Sequence, residues 1–399
     1  MSHDTMYEYY LQQSVFPTHG GFDNEEDLAR HEQHRRELFT DKLQLPARLF
    51  KDASLLEFGP DTAENTLVFA RWGANCKLVE PNSKTHPVIR EYFQRFGMGD
   101  KLTGLSGLDV RGYAEKPAWD NKFDFVVAEG FIYTVRPESL WVELFSRIVE
   151  RDGFAVLFYM EPFGSFFELM LKVVHSRYKQ LSGKRPVAAA EELYQAKWDS
   201  IPHRRTLESF TMDVLENPFV RLPYFLEPRS LCRQMVEAGF SLYSSWPVYS
   251  DALAVRWFKK TLSVSERVAE TENFIAQSRL SHMFGYKLFL TGPVEGLEND
   301  LMELLQLADG LIDRFEDANA QRLSRALERV EELLRSPKVI ADQGNIESAL
   351  AAMDALRKLL ALLEKGQTDA ISAFCNNDPV FIRTWGMPSH FAVFRKDVD

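Results

Sequence analysis

The stretch Ser54-Leu-Leu-Glu-Phe-Gly-Pro-Asp-Thr-Ala-Glu-Asn65 decides the fold class of this 399-residue chain. A short apolar run leads into Glu57 and Gly59, and a turn of small and polar residues follows. Residues 67–72 then show the pattern of an amphipathic helix. This order predicts a buried strand that turns sharply into a helix, which is where open α/β sheets bind nucleotide-like ligands.

The turn differs from the glycine-rich loop that binds dinucleotides. In a G-x-G-x-x-G loop, bare backbone lies against a pyrophosphate. Here Asp61 and Glu64 occupy the second and third glycine positions. Two carboxylates would repel a pyrophosphate, whereas they suit a cofactor that carries an ammonium and a sulfonium group. The loop therefore favours S-adenosylmethionine over NAD.

Length and composition indicate a soluble protein with two domains, because 399 residues exceed one ordinary domain and 45% are apolar. The net charge of −11 disfavours nucleic-acid binding, which normally needs a basic face. The three cysteines, Cys76, Cys232 and Cys375, form neither a metal-binding spacing nor a disulfide framework, so a cytoplasmic location is expected. We recognise no signal peptide and expect no membrane span.

Strand and helix patterns alternate from residue 54 onwards. Strands are predicted over 54–58, 77–80, 102–105, 123–128 and 154–159, with helices over 88–96 and 138–148 among them. Such alternation implies βαβ units. After a helix over 229–238, strands over 239–246 and 252–259 are close enough to pair as a hairpin. The predicted fold is a doubly wound, mostly parallel seven-stranded α/β sheet with an antiparallel hairpin strand.

Three further segments flank or interrupt this sheet. Residues 1–50 predict an N-terminal helical lid, and about 164–224 form a helical cap inserted into a domain that spans 51–260. Residues 261–399 predict a mainly helical C-terminal domain, with amphipathic helices over 297–315, 322–334 and 346–363. Their leucine-rich stripes must be buried in their own bundle or in a homodimer. Short strand-like segments over 286–290, 381–385 and 390–394 are expected to pair with each other.

Four motifs at the ends of the first four predicted strands together resemble a known family. They are Glu57-Phe-Gly-Pro-Asp-Thr-Ala, Leu78-Val-Glu-Pro-Asn, Gly107-Leu-Asp109 and Phe123-Asp-Phe-Val-Val-Ala-Glu-Gly. Their order and spacing resemble a class I S-adenosylmethionine-dependent methyltransferase, over about a third to a half of the chain. That family usually has glycines where this chain has Asp61 and Ala63.

The resemblance and the strand ends together imply a cofactor site. Glu80 is placed to accept hydrogen bonds from both ribose hydroxyls, and Gly59 lets the backbone pass close to the ligand. Glu57 and Asp61 are expected to hold the methionine ammonium. Asp109 either accepts the adenine amino group or caps a helix, and Asn65 is equally well explained as a cap. The full set is Glu57, Gly59, Asp61, Asn65, Glu80, Pro81, Leu108, Asp109 and Glu129.

The acceptor side offers fewer signals. Residues 129–133 leave the fourth strand and are expected to line the acceptor pocket, where Glu129 orients the cofactor or the nucleophile. His203 is the candidate catalytic base, with a solvated loop as the competing explanation. The expected substrate-binding residues are Tyr133, Glu161, Arg204 and Arg205.

No metal is expected, because His31 and His34 lie three apart on a predicted helix without a third ligand nearby. The leading hypothesis is methyl transfer to an oxygen or nitrogen of a small-molecule or glycan-type acceptor, in surface polysaccharide synthesis. Two alternatives remain. One is a dinucleotide-dependent oxidoreductase, and the other is a non-catalytic adapter that retains the cofactor fold.

Overall fold

A computed structural model describes residues 5–13, 21–116, 122–202, 205–251 and 262–397 of the chain. The chain forms two compact units. The first comprises Met1–Tyr159, Leu226–Glu272 and His390–Asp399, and the second comprises Met160–Phe225 and Asn273–Ser389. Each unit is therefore assembled from segments that are far apart in sequence.

Helices account for much of the regular structure. In chain order they are α1 (Met6–Gln13), α2 (Glu25–Arg36), α3 (Glu64–Arg71), α4 (His86–Arg95), α5 (Val110–Ala114), α6 (Glu138–Ile148), α7 (Phe166–Ser182), α8 (Pro186–Trp198), α9 (Leu207–Phe210), α10 (Pro228–Glu237), α11 (Val264–Gln277), α12 (Arg279–Phe284), α13 (Leu297–Asp313), α14 (Asp317–Leu334), α15 (Gln343–Lys365), α16 (Thr368–Asn377) and α17 (Pro379–Arg383).

The first unit is built on a seven-stranded sheet. In chain order the strands of the protein are β1 (Ser54–Phe58), β2 (Asn75–Val79), β3 (Leu102–Ser106), β4 (Phe123–Glu129), β5 (Val149–Met160), β6 (Phe240–Trp246), β7 (Phe289–Leu290), β8 (Val339–Ile340) and β9 (Ser389–Lys396). The sheet has the order β3-β2-β1-β4-β5-β9-β6. Strands β1 to β5 pair in parallel, and β6 pairs antiparallel with β9. The predicted doubly wound, mostly parallel sheet is confirmed.

The antiparallel pair at the sheet edge has an unexpected connection. The segment over 252–259, predicted as the hairpin partner, lies outside the described residues. The partner that the structure describes for β6 is β9, the last strand of the chain. Residues His390 to Phe394 are all buried, which is typical of a strand covered on both faces.

The predicted pairing among the short C-terminal strands is wrong. Strand β9 belongs to the main sheet, whereas β7 pairs with β8. Residues 381–385 are not a strand either, because α17 covers Pro379–Arg383. An apolar run of five residues cannot reveal from sequence which sheet it joins.

The second unit combines the inserted segment with the C-terminal helices. Helix α13 packs against α7 and α14, and α16 packs against α8. Polar contacts join the two segments: Arg221 pairs with Asp309 at 2.7 Å, and Lys197 Nζ donates to the carbonyl of Phe381 at 2.7 Å. The leucine stripes of α13, α14 and α15 are buried within this unit. The division of the chain into separate domains over 51–260 and 261–399 stays a prediction.

We expect a chain that ends at residue 388 to lose its native fold, because it lacks a strand between β5 and β6. Thermal unfolding and size-exclusion chromatography would show a lost transition and aggregation. The matched control, Arg395→Ala, keeps β9 and removes only its exposed ion pair with Asp152, so its stability should stay within about 0.5 kcal/mol of the wild type. Native behaviour of the shortened chain would contradict this expectation.

Candidate functional site

The loop between β1 and α3 has an unusual backbone. Gly59 has a φ of +62°, and the non-glycine residues Asp61 and Ala63 also have positive φ, at 52° and 68°. The family that the sequence resembles usually has glycine at these last two positions. This chain keeps the left-handed backbone that glycine adopts readily, although its residues there are Asp61 and Ala63. Each non-glycine residue held there costs about 1–2 kcal/mol. The fold therefore imposes this loop against local preference, which is common at functional sites.

Gly59 is also enclosed by an aromatic ring. A Cβ atom at this position would lie 2.7 Å from Cδ1 and Cε1 of Phe131, which follows β4. The Gly59 N–H donates to the carbonyl of Val79 at 2.9 Å and ties the loop to the end of β2. Because β1, β2 and β4 are parallel, their carboxyl ends meet at this edge of the sheet.

Glu80 follows β2 at the same edge and is only 5% exposed. Its carboxylate accepts hydrogen bonds from the N–H groups of Asp61 (3.0 Å) and Asn82 (2.7 Å). Burial raises the pKa of Glu80 to about 8, and the nearby Asp61 charge adds to this effect. Glu80 thus links the β1 loop to the end of β2 through two backbone donors.

Glu57, the fourth residue of β1, is 2% exposed. Its Oε2 accepts a hydrogen bond from Thr66 Oγ1 at 2.5 Å. Burial raises the pKa of Glu57 well above its usual range, and the negative charge of Glu129 raises it further. Two buried carboxyl groups with elevated pKa values therefore lie at the ends of neighbouring strands.

Glu129, at the end of β4, is held by the N-terminal helix α2. Arg35 donates two hydrogen bonds to its carboxylate, at 2.6 and 2.9 Å, and Asn65 Nδ2 donates a third at 3.2 Å. His31 Nε2 in turn lies 3.0 Å from Asn65 Oδ1. Asn65 therefore bonds to Glu129 and His31 and does not cap α3, whose N-cap position is Ala63. Any role of Glu129 has to be compatible with its ion pair with Arg35.

The adenine side of the predicted site is less distinctive. Asp109 accepts a hydrogen bond from the N–H of Gly112 at 2.7 Å and caps α5, so the helix-cap explanation applies to it. Pro81 and Leu108 are half-buried and follow β2 and β3. All three lie beyond strand ends at the carboxyl edge, where the resemblance expects the cofactor.

The acceptor-side candidates are not brought together in this way. Tyr133 is buried in the turn after β4, in the first unit. Glu161 and Arg205 belong to the second unit. Glu161 is fully buried, accepts from the Gly164 N–H at 2.5 Å and lies 3.5 Å from Arg279 Nη1. Arg205 forms an ion pair with Asp213. His203 and Arg204 lie outside the described residues.

Sequence reasoning missed Arg35, considered His31 only as a metal ligand, and placed Phe131 in the acceptor segment 129–133 without its contact with Gly59. Arg35 is only 6% exposed, and its guanidinium carbon lies 4.6 Å from the ring centre of Phe39 and 5.3 Å from that of Phe69. The available signal is the spacing of Leu28, His31 and Arg35, which places all three on one face of a helix. The many charges of this helix hide that face, because they are typical of a solvated helix.

The model of a methyltransferase domain family matches residues 29–245 of the chain. The chain belongs to this methyltransferase family. The matched region includes most of α2 with Arg35, the whole carboxyl edge of β1 to β4, and all of β6 except its last residue. The methyltransferase is an S-adenosylmethionine-dependent enzyme. No curated protein sequence matches the chain.

Several solved structures resemble the methyltransferase at low identity. One is a putative sarcosine dimethylglycine methyltransferase from Galdieria sulphuraria, with 11% identity, a TM-score of 0.37 and 99% of each chain covered. Another is 1,6-didemethyltoxoflavin-N1-methyltransferase from Burkholderia thailandensis, with 19% identity and a TM-score of 0.25 over 34% of this chain and 60% of that one. Such distant likenesses say nothing about the acceptor.

The residues at the carboxyl edge fit S-adenosylmethionine. Glu57 and Glu80 are buried carboxyl groups that, among the described residues, accept hydrogen bonds from Thr66 and from backbone N–H groups. A cationic, hydroxyl-bearing ligand would supply the charge and the donors that suit them.

Within the described part of the chain, we find no helix that is both long and apolar enough to cross a bilayer.

Replacing Gly59 with alanine should destabilise the protein and weaken cofactor binding. The cost combines the positive φ, about 1–2 kcal/mol, with displacement of the Phe131 ring. Gly97→Ala is the matched control, because Gly97 has a φ of +69° and no atom within 4 Å of the Cβ that alanine would add. Comparing the thermal unfolding of the two variants separates the cost of the positive φ from the cost of displacing the Phe131 ring. Equal losses of stability would show that contact with Phe131 is unimportant.

The free energy of unfolding should fall as the pH rises from about 5 to 7, with a contribution from Glu80. Its raised pKa means that the folded state binds the proton more tightly than the unfolded state. The expected slope is about −1.4 kcal/mol per pH unit for this group. Chemical denaturation of Glu80→Gln should therefore show a shallower dependence than the wild type. Glu91→Gln, at an exposed position on α4, is the control and should keep the wild-type slope.

Proposed function

We propose that the methyltransferase transfers a methyl group to an oxygen or nitrogen of a small-molecule or glycan-type acceptor. An intermediate of surface polysaccharide synthesis is the acceptor class that we favour. S-adenosylmethionine supplies the methyl group as an electrophilic carbon bonded to a sulfonium. The observation that carries the cofactor side of the proposal is the pair of buried carboxyl groups, Glu57 and Glu80, at the ends of adjacent parallel strands.

Each residue of the cofactor site has a proposed task. Glu80 accepts the ribose hydroxyls, and Glu57 with Asp61 receives the ammonium of the methionine moiety. Gly59 keeps the loop close to the ligand. Glu129 is held by hydrogen bonds from Arg35 and Asn65 and orients the cofactor or the nucleophile. Pro81, Leu108 and Asp109 border the adenine.

Apolar and aromatic groups support a compact acceptor. Phe131, Ile132 and Tyr133 leave β4 beside the cofactor edge, and the one carboxylate before them, Glu129, is neutralised by Arg35. In-line methyl transfer needs alignment of the nucleophile and exclusion of water, which such walls provide. The net charge of −11 further disfavours a polyanionic acceptor such as RNA or DNA.

The remaining acceptor candidates come from the inserted segment over about 164–224. His203 is the proposed base, and Arg204 the proposed partner of an acidic group on the acceptor. Arg205 would have to leave its ion pair with Asp213 to bind a phosphate, and Glu161 is engaged by Gly164 and Arg279. These two residues therefore contribute less to the proposal than His203 and Arg204 do.

Location and assembly complete the proposal. The three cysteines are buried and unpaired, which supports a reducing cytoplasm. A homodimer through the C-terminal helices stays a prediction, since their leucine stripes are already covered within the second unit.

Calorimetric titration should show micromolar binding of S-adenosylmethionine and S-adenosylhomocysteine, and none of NADH. Glu80→Gln should weaken the binding of both adenosyl ligands about tenfold, because the amide replaces one of the two oxygens that would meet the ribose hydroxyls. Glu91→Gln should bind them as the wild type does. Unchanged affinity in Glu80→Gln would remove Glu80 from the site.

Acceptors would then be screened by transfer of radiolabelled methyl groups to sugars, nucleotide-sugars, amines and RNA. His203→Ala should transfer more slowly at unchanged cofactor affinity. Label on RNA alone would overturn the small-molecule proposal. Full cofactor binding without transfer to any tested acceptor, combined with loss of function on mutation of the α13–α15 stripes, would favour the adapter.

A further inference from the structure

Two acidic side chains and one arginine share one face of the sheet at its carboxyl edge. The parallel register pairs Glu57 with Val127, and side chains two positions apart on a strand lie on the same face. Glu57 and Glu129 therefore lie on one face of neighbouring strands. Arg35 approaches that face from α2 and bonds to Glu129. Of these two carboxyl groups, only that of Glu129 is bonded by the guanidinium.

The arginine is committed to Glu129. It donates to both carboxylate oxygens of Glu129, at 2.9 and 2.6 Å, and both side chains are at most a tenth exposed. The guanidinium also lies over the rings of Phe39 and Phe69, which fix its position. A bidentate pair of this kind is among the stronger hydrogen-bonded contacts in proteins. The hydrogen-bond donors of the guanidinium are consequently used by Glu129 and not by Glu57.

Glu57 is left with one neutral donor. Thr66 Oγ1 bonds to its Oε2, and among the described residues no cation bonds to it. Burial is the main reason that Glu57 favours the neutral acid, and the negative charges of Glu129 on β4 and Glu80 after β2 add to it. The charge of Arg35 on α2 and the Thr66 hydrogen bond act in the opposite direction. Cys76 on β2 also lies near Glu57, and its thiol is kept neutral by burial.

We propose that Glu57 is the proton-exchanging group of the cofactor pocket, and that Arg35 is its positioning residue through Glu129. In the cofactor-free protein Glu57 carries a proton. When the ammonium of the cofactor arrives, the Glu57 O–H bond breaks, the proton passes to the buffer, and the carboxylate is left to pair with the ammonium. The inference rests on the proposed placement of that ammonium beside Glu57.

Calorimetry in buffers of different ionisation enthalpy counts the protons released on binding. At pH 7 in phosphate and in Tris, the wild type should release about one proton with S-adenosylmethionine. S-adenosylhomocysteine should release the same number, because it has the ammonium and lacks only the sulfonium. Glu57→Gln should still bind both ligands and release close to none. Glu80→Gln should bind more weakly and release as many protons as the wild type.

The role of Arg35 has its own readout. Arg35→Gln removes the positive charge that offsets the charge of Glu129, so the pKa of Glu57 should rise further. Proton release on cofactor binding should therefore persist to a higher pH than in the wild type. Carboxyl-carbon NMR of the cofactor-free protein should show the same upward shift of the Glu57 titration. Arg35→Lys restores the charge and should return both profiles towards the wild type. Arg30→Gln removes an exposed charge from the same helix and should leave both unchanged.

The outcomes separate this inference from the proposed function. Tight binding of both adenosyl ligands without proton release overturns the inference and leaves the cofactor site standing. Release that disappears in Glu80→Gln rather than in Glu57→Gln also overturns it. A folded protein that binds neither ligand overturns the proposed cofactor site itself. A wild-type profile in Arg35→Gln removes Arg35 from its positioning role.

Discussion

The sheet is complete only when the last strand of the chain lies between β5 and β6. This constraint organises both units, because the chain must return to the first unit at His390 after building the helices of the second. Strand β9 is buried along five consecutive residues and therefore contributes apolar contacts to both faces of the sheet. The last strand of the chain is thus a structural part of the methyltransferase sheet.

Charge organises the site at the carboxyl edge of the sheet. This edge gathers Glu57, Glu80 and Glu129, and one arginine from α2 offsets one of them. A cationic ligand would favour the ionised forms of the two acids that the arginine does not bond to. The loop at Asp61 and Ala63 keeps a left-handed backbone without glycine.

Local sequence patterns predicted the parallel half of the sheet well. Strand β1 and helix α6 have the bounds that their apolar runs indicated, and the acids Glu57 and Glu80 lie at strand ends as the spacing required. Strand β9 could not be assigned to its sheet, because pairing between distant segments leaves no trace in either segment alone. Arg35 was missed for a related reason: burial of a charge depends on a partner, Glu129, that is 94 positions away.

The position of β9 also affects the protein while it is being made. Synthesis proceeds at about 5–20 residues per second, so β6 is made roughly 7–30 s before its partner strand exists. During this interval the edges of β5 and β6 present unpaired backbone groups, which are templates for pairing with other chains. The nascent methyltransferase therefore passes through a period of exposure to aggregation whose length is set by the size of its second unit. Slow translation or a pause in the helical region would lengthen that period, and holding chaperones would be of most use there.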